Sequence, residues 1–230
     1  MLAGLANLFL AAFVVSRNPR GRANQLFGLA CLALAIWNTG FFMMYYVPHT
    51  PQGERQALAW NNCLHLGLVF LAPLFLHFSL AVTGARRRWP YRIVYLGYAL
   101  SCVFMYYSVR GAFVGTLRWL EWNPARGYGG YVPTKSTVST AFDNFFFLYM
   151  ALGIGVLLRR YRRATEPVER NRLRYLIFAI LVALAGGVPN FLMVHGMRVY
   201  PIGHVVQIGF SLIIAYTIVR YRLMDICLLY

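Results

Sequence analysis

Seven runs of apolar residues, most of them close to 20 residues long, occupy the greater part of this 230-residue chain. A helix of about 20 residues spans ~30 Å, which is the thickness of the hydrocarbon core of a bilayer. The composition agrees, because 60% of the residues are hydrophobic and only 12% are charged, whereas soluble domains carry about 25% charged residues. The pattern excludes a water-soluble domain and predicts an all-α fold, a polytopic membrane helix bundle.

We expect one seven-helix transmembrane domain over residues 1–230. The spanning helices are predicted at about 2–16, 24–46, 60–82, 93–109, 138–158, 173–195 and 201–219. The first helix reaches only about 22 Å, so six spans are the alternative. A signal peptide fits this first run poorly, because the run has no basic start and no small-residue cleavage site before Arg17.

Arginine-rich loops determine the predicted orientation. Most of the 22 basic residues fall in the segments 17–22, 86–92, 159–174 and 220–222, which share one side of a seven-span bundle. The positive-inside rule makes this side cytoplasmic, which places the N-terminus outside and the C-terminus in the cytoplasm, in a bacterial inner membrane. The net charge of +16 then matches loops that face anionic membrane lipids, and nucleic acid is not an expected partner.

Polar side chains inside a bilayer are costly enough to be functional candidates, and here they cluster in the predicted outer half. Helix spacing places His204, Gln207 and Ser211 on one face. One interpretation is an outward-open polar pocket that binds a ligand, and the other is hydrogen bonding between helices, worth about 0.6–2 kcal/mol for each residue. Both interpretations stay open. The candidate ligand-binding residues are Asn62, His65, Asp143, Asn144, Asn190, His204 and Gln207, with Asn61 beside them.

Several chemistries are disfavoured by the residues present. A retinal Schiff base needs a lysine in a spanning helix, whereas the single lysine, Lys135, lies in a predicted loop. Haem would require an axial pair such as His65 with His204, and no further pair or CxxCH motif supports it. The sequence contains no HExxH, GxSxG or P-loop motif and no cysteine pair with metal-site spacing. We therefore expect no enzyme activity, no cofactor and no metal site.

Two connections between helices carry further signals. The segment 110–137 is rich in aromatic residues and glycine, which is typical either of an interfacial aromatic belt or of a lid over an outward-facing cavity. The segment 159–174 ends one helix and begins the next, with Thr165 as the predicted N-cap and Pro167 in the first turn. A favourable pair between Glu166 and Arg170 is also expected.

Four segments together resemble the seven-helix N-terminal sensor region of bacterial membrane histidine kinases. They are RNPRGRANQLFGLACLALAIWNTG (17–40), LGLVFLAPLFLHFSLAVTG (66–84), RRYRRATEPVERNRLRYLIFAI (159–180), and YPIGH (200–204) with IIAYTIVRYRLMDI (213–226). The resemblance implies a receptor that is joined through its last helix to a cytoplasmic output domain. It implies helix movement transmitted through the RYRLMDI junction, with Arg220, Arg222 and Asp225 as the signal-coupling candidates. The chain ends at Tyr230, so the output is expected from the rest of a longer protein or from a partner.

The main functional hypothesis is a membrane-embedded sensor that binds a small or lipophilic ligand in its outer half. The alternative is an accessory or scaffolding subunit of a larger membrane complex, with its aromatic faces against partner subunits. A small transporter is a weaker hypothesis, because the chain has no internal repeat and no matched pair of broken helices.

Overall fold

The computed structural model describes residues 1–85, 88–123, 128–197, 199 and 203–221. Within these residues the chain forms seven helices and a β-hairpin between the fourth and fifth helices. The elements are α1 (Leu2–Arg17), α2 (Arg22–Tyr46), α3 (Pro51–Val82), α4 (Arg88–Val109), β1 (Leu117–Asn123), β2 (Tyr128–Pro133), α5 (Thr137–Arg163), α6 (Pro167–Val194) and α7 (Gly203–Tyr221).

Five of the described helices, α2 to α6, are long and apolar enough to cross a membrane. The other two, α1 and α7, are also apolar but offer shorter apolar stretches, Leu2–Arg17 and Val205–Ile218. The short first helix expected from the sequence is therefore present in the bundle, where it packs against α2 and α7.

Local capping explains where two of the helices begin. Helix α3 starts at Pro51 rather than at residue 60, because the Thr50 side chain accepts a hydrogen bond from the Gly53 N–H at 3.0 Å and Pro51 suits the first turn. Helix α5 starts with a capping box, in which the side chains of Ser136 and Ser139 each accept a hydrogen bond from the other residue's backbone N–H.

The start of α6 corrects two predictions. Its N-cap is Glu166, without a side-chain cap hydrogen bond, and not Thr165, although Pro167 does occupy the first turn. The second correction concerns the predicted pair of Glu166 with Arg170. Instead, Glu169 accepts a hydrogen bond from Arg160 at 2.6 Å, and the Arg170 guanidinium lies over the Tyr161 ring. The two helices are thus tied across their junction rather than along α6.

The helices form a ring with one helix outside it. Contacts run from α1 to α2, α3, α5, α6, α7 and back to α1, whereas α4 lies against α3 and α5. Most of the α3 span is buried (78%), but only 22% of the α4 span is. Helix α4 therefore offers most of its surface to the surroundings, and α3 has the most buried of the five candidate spans.

Four polar contacts attach α4 along its length. Ser101 Oγ donates a hydrogen bond to the Val69 carbonyl at 2.6 Å, and Tyr149 Oη donates one to the Ile93 carbonyl at 2.8 Å. The other two contacts are side-chain pairs, His65 with Ser108 near the end of α4 at 2.8 Å and His77 with Tyr98 near its middle at 3.3 Å. We call these four contacts the α4 seam.

The hairpin is the main departure from a purely helical prediction. Strands β1 and β2 are antiparallel, with Trp119 opposite Tyr131. The hairpin is fixed to the bundle on two sides: the His49 ring stacks on Trp119 at 4.4 Å, and Arg118 donates a hydrogen bond to the Met193 carbonyl at 2.8 Å. We call this end of the bundle, with the hairpin and the loop 47–50, the hairpin end.

The described aromatic side chains of the hairpin pack on protein. Tyr131 is buried, and its hydroxyl donates a hydrogen bond to the Thr50 carbonyl at 3.0 Å. These contacts favour the lid over the interfacial belt for Trp119 and Tyr131, while the Trp122 and Tyr128 side chains lie outside the described residues. The hairpin covers the end of the bundle between α3 and α6.

Candidate functional site

Two cavities are lined by helices of the ring. The first, the hairpin-end cavity, has a volume of about 50 Å³ and is lined by α2, α3, α5, α6 and the ends of the hairpin connection. The second, the central cavity, has a volume of about 90 Å³ and is lined by α2, α3, α5, α6 and α7. Trp37 and Phe191 belong to both linings. The two cavities therefore share part of their walls.

The hairpin-end cavity gathers polar residues from three helices. Asn61 and His65 come from α3, Asp143 from α5 and Asn190 from α6. Asn61, His65 and Asn190 are only 1%, 3% and 6% exposed. Segments far apart in the sequence therefore bring these four polar side chains to one space, together with Ser139 of the α5 capping box.

Two of these side chains keep unused hydrogen-bonding capacity. Within the described residues, the Asn61 Nδ2 donor and the Asn190 Oδ1 acceptor are buried without a hydrogen-bond partner. Buried polar groups are normally paired, since leaving one unpaired costs about 1–3 kcal/mol. A donor and an acceptor left open beside a cavity are suited to a ligand that carries both complementary groups.

The other two polar residues are already paired. His65 Nδ1 lies 2.8 Å from Ser108 Oγ, and its ring packs on Phe113 with a centroid distance of 4.1 Å. Asp143 Oδ2 lies 2.5 Å from Lys135 Nζ, and both side chains are largely shielded from solvent. The only carboxylate in the cavity lining is therefore neutralised by the only lysine of the chain, and the site is close to electroneutral.

The central cavity is different in chemistry. Its lining is aliphatic and aromatic except for Gln207 of α7, which is 4% exposed. The Gln207 Nε2 donor, like the indole Nε1 donor of Trp37, has no hydrogen-bond partner in the part of the chain that the structure describes. A polar atom of this kind in an apolar chamber marks a point where an acceptor could be recognised.

Of the remaining predicted residues, two lie away from these cavities and the others fall outside the described residues. Asn62 lines neither of them, and the exposed Asn144 donates a hydrogen bond to the Thr140 carbonyl of its own helix at 3.0 Å. The His204 side chain, the Arg220 side chain, and Arg222 and Asp225 altogether lie outside the described residues. The predicted cluster is thus divided into a polar group at the hairpin end and Gln207 in the central cavity.

Sequence reasoning missed Trp37 and Lys135. Trp37 lies in an apolar run, so nothing in the sequence distinguishes it from a packing residue. Lys135 precedes α5 by two residues, and its predicted place on the same side as Asp143 was a usable signal, because α5 begins there. In the described part of the chain no group of three His, Cys, Asp or Glu side chains is placed to hold a metal ion.

Comparison with known proteins places the chain in a family. No curated protein matches the sequence. A family described as the N-terminal 7TM region of histidine kinase matches residues 1–227. This match covers nearly the whole chain and confirms the resemblance seen in the four sequence segments. With its apolar helices, the chain is a multi-pass membrane protein, and it belongs to the family of seven-transmembrane N-terminal regions of histidine kinases.

Proposed function

We propose that the chain is a sensor module of a signal-transduction protein in the bacterial cytoplasmic membrane, and that it binds a small or lipophilic ligand in the hairpin-end cavity. The signal passes through the cytoplasmic end of α7, at Arg220, Arg222 and Asp225, to a cytoplasmic output domain. The observation that carries this proposal is the pair of open polar atoms, Asn61 Nδ2 and Asn190 Oδ1, buried beside one cavity.

The orientation follows from charge and helix direction. Neighbouring helices are antiparallel: Tyr149 of α5 bonds near the start of α4, and Arg160 near the end of α5 pairs with Glu169 near the start of α6. Seven alternating helices put the two termini on opposite sides. The arginine-rich connection 159–166 lies at the end away from the hairpin, which supports a cytoplasmic position for that end and for the C-terminus.

Helix α6 offers a route from the cavity to α7. Asn190 lies on α6, and the same stretch of helix meets α7 so closely that a Cβ atom on Gly203 would collide with the Gly186 carbonyl oxygen. Backbones in such close contact shift together, since neither side has a flexible side chain to absorb a displacement. A ligand that moves α6 at Asn190 therefore also displaces α7.

A small fluorinated amide tests the binding step. N-(trifluoroethyl)acetamide carries one acceptor and one donor, complementary to Asn61 and Asn190, and its fluorine NMR line broadens on binding to the full chain in lipid nanodiscs. We expect Asn61→Leu to weaken binding about tenfold, the value of one hydrogen bond of ~1.4 kcal/mol. Asn62→Leu is the matched control, because Asn62 lines neither cavity. Equal binding by wild type and Asn61→Leu contradicts the proposal.

Spin labels test the signalling step. Phe178 of α6 and Leu212 of α7 are both exposed, so cysteines there accept labels without entering the core. Addition of the amide is expected to change the distance distribution between the two labels, and the change should be absent in the Asn61→Leu background. An unchanged distribution at saturating amide rules out coupling through α6 and α7.

A further inference from the structure

We infer that the two cavities form one binding site for a neutral single-chain amphiphile, with an amide-like head in the hairpin-end cavity and a hydrocarbon tail in the central cavity. The inference rests on the proposed function, because it assigns a ligand class to the same site. It adds the central cavity as the part of the site that recognises the tail.

The two spaces are adjacent and share their walls. Trp37 and Phe191 line both, so these two rings stand where the spaces adjoin. Phe191 is flanked on α6 by residues that belong to one cavity only. Asn190, just before it, lines the hairpin-end cavity, and Gly187, one helical turn earlier, lines the central cavity. A ligand that passes the two rings therefore extends along α6 from one cavity into the other.

The head must be neutral. Asp143 and Lys135 neutralise each other at 2.5 Å, so neither a cation nor an anion finds an unpaired counter-charge among the described lining residues. The open atoms of the lining are an amide donor on Asn61 and an amide acceptor on Asn190. A secondary amide supplies the carbonyl and the N–H that complete both hydrogen bonds, whereas an ester or a ketone completes only one.

The tail must be mainly hydrocarbon. Apart from Gln207, the central cavity is lined by apolar side chains, among them Phe75, Phe146, Phe210 and Ile214. Cavities lined in this way stay dry and bind apolar molecules. The open Gln207 Nε2 donor provides one point of recognition within the chamber, and it favours a tail that carries a single oxygen over a plain alkyl chain.

A series of tails on a constant head tests this inference. N-(trifluoroethyl)acetamide, the corresponding hexanamide and the decanamide have the same head and the same fluorine reporter. Each dissociation constant for the full chain in nanodiscs is calculated from the free aqueous concentration of the amide, which is measured by dialysis. We expect about a fourfold gain for each methylene that enters the central cavity, followed by a plateau when the cavity is full. Affinities that do not rise with tail length overturn the inference.

A cavity-filling variant locates the tail. Ala183 lines the central cavity, whereas Ala185 on the same helix is exposed. Ala183→Phe is expected to remove the gain with tail length and to keep acetamide binding, while Ala185→Phe behaves as wild type. Retained acetamide binding shows that Ala183→Phe is folded. If Ala183→Phe does not bind the acetamide, the smaller variant Ala183→Leu is used instead, and it is expected to lose part of the affinity gain with tail length. An undiminished gain in both filling variants overturns the inference.

The head site in the hairpin-end cavity and the tail site in the central cavity are tested separately. If the acetamide itself does not bind, the ligand site of the proposed function is wrong. If the acetamide binds but the decanamide gains nothing, only the tail site is wrong. A decanamide with a terminal diazirine gives direct placement: we expect adducts on Met150 or Phe210 of the central lining, and adducts confined to the exposed Leu181 and Leu212 contradict the inference.

Discussion

Replacement of Gln207 by methionine separates a binding residue from a structural one. Gln207 is 4% exposed, and its Nε2 donor has no partner within the described residues. Methionine has a similar length, adapts to irregular cavities and carries no amide. The substitution therefore removes an unsatisfied donor without opening a large space, so the ligand-free protein should become more stable rather than less.

The expected gain is modest. An unsatisfied buried donor costs about 1–3 kcal/mol in proteins, but hydrogen bonds within membrane bundles average only about 0.6 kcal/mol because the unfolded chain in the membrane also finds partners. Because the effect lies between these two magnitudes, we expect Gln207→Met to raise the free energy of unfolding by about 0.5–1.5 kcal/mol.

The assay is reversible unfolding of the full chain from mixed micelles with increasing sodium dodecyl sulfate. Ser211→Ala is the matched control, because Ser211 lies one turn further along α7 and its hydroxyl already donates to the Gln207 backbone carbonyl at 3.2 Å. The control should change the free energy of unfolding by no more than about 0.5 kcal/mol. If Gln207→Met instead lowers the free energy of unfolding by more than about 1 kcal/mol, the amide has a structural partner. The claim that Gln207 offers an open donor to the central cavity is then refuted.

Three further predictions concern the bundle itself. Ser101→Ala deletes one contact of the α4 seam and should lower the free energy of unfolding by about 0.6–1.7 kcal/mol. The control is Cys102→Ala at the exposed neighbouring position, which should leave the free energy of unfolding unchanged in the same assay. Gly153→Ala should cost about 1–3 kcal/mol, because its Cβ would meet a phenylalanine ring of α3, whereas Gly155→Ala, with open space around the Cβ, should be neutral. Arg118→Ala removes the hydrogen bond from the hairpin to α6, so amide hydrogen exchange in β1 and β2 should accelerate while exchange in α3 stays unchanged; equal acceleration in both would mean global destabilisation instead.

The helices were predictable because burial in a bilayer requires long apolar runs, and such runs are visible without knowledge of the fold. The boundaries were not. Helix α3 begins at Pro51, and its first turns carry Glu54 and Arg55, which a search for apolar runs excludes. The polar turns are stable because Thr50 caps them and because the hairpin packs on the preceding loop. The hairpin itself depends on contacts with residues far away in the sequence, such as His49 and Met193.

The candidate site was predictable in its polar members but not in its partnerships. A polar residue in an apolar run stands out, so Asn61, His65 and Asn190 could be selected from the sequence. The pairing of Asp143 with Lys135 removes the charge that the sequence placed in the pocket, and that pairing depends on the turn into α5. The central cavity had no signal at all, because a phenylalanine that lines a chamber is identical in sequence to one that fills a core.

The two interpretations of the polar residues, hydrogen bonding between helices and lining of a pocket, apply to different atoms, and His65 takes part in both. Along the α4 seam, hydroxyl and imidazole groups have partners on neighbouring helices, as expected of groups that fix a mostly exposed helix. In residues that line the two cavities, by contrast, amide atoms of Asn61, Asn190 and Gln207 are buried without partners in the described chain. Stability alone would select against such atoms, since each one raises the energy of the empty bundle. Under the proposed function, a ligand in the cavity pairs these atoms, and its binding then biases the position of α6 and α7.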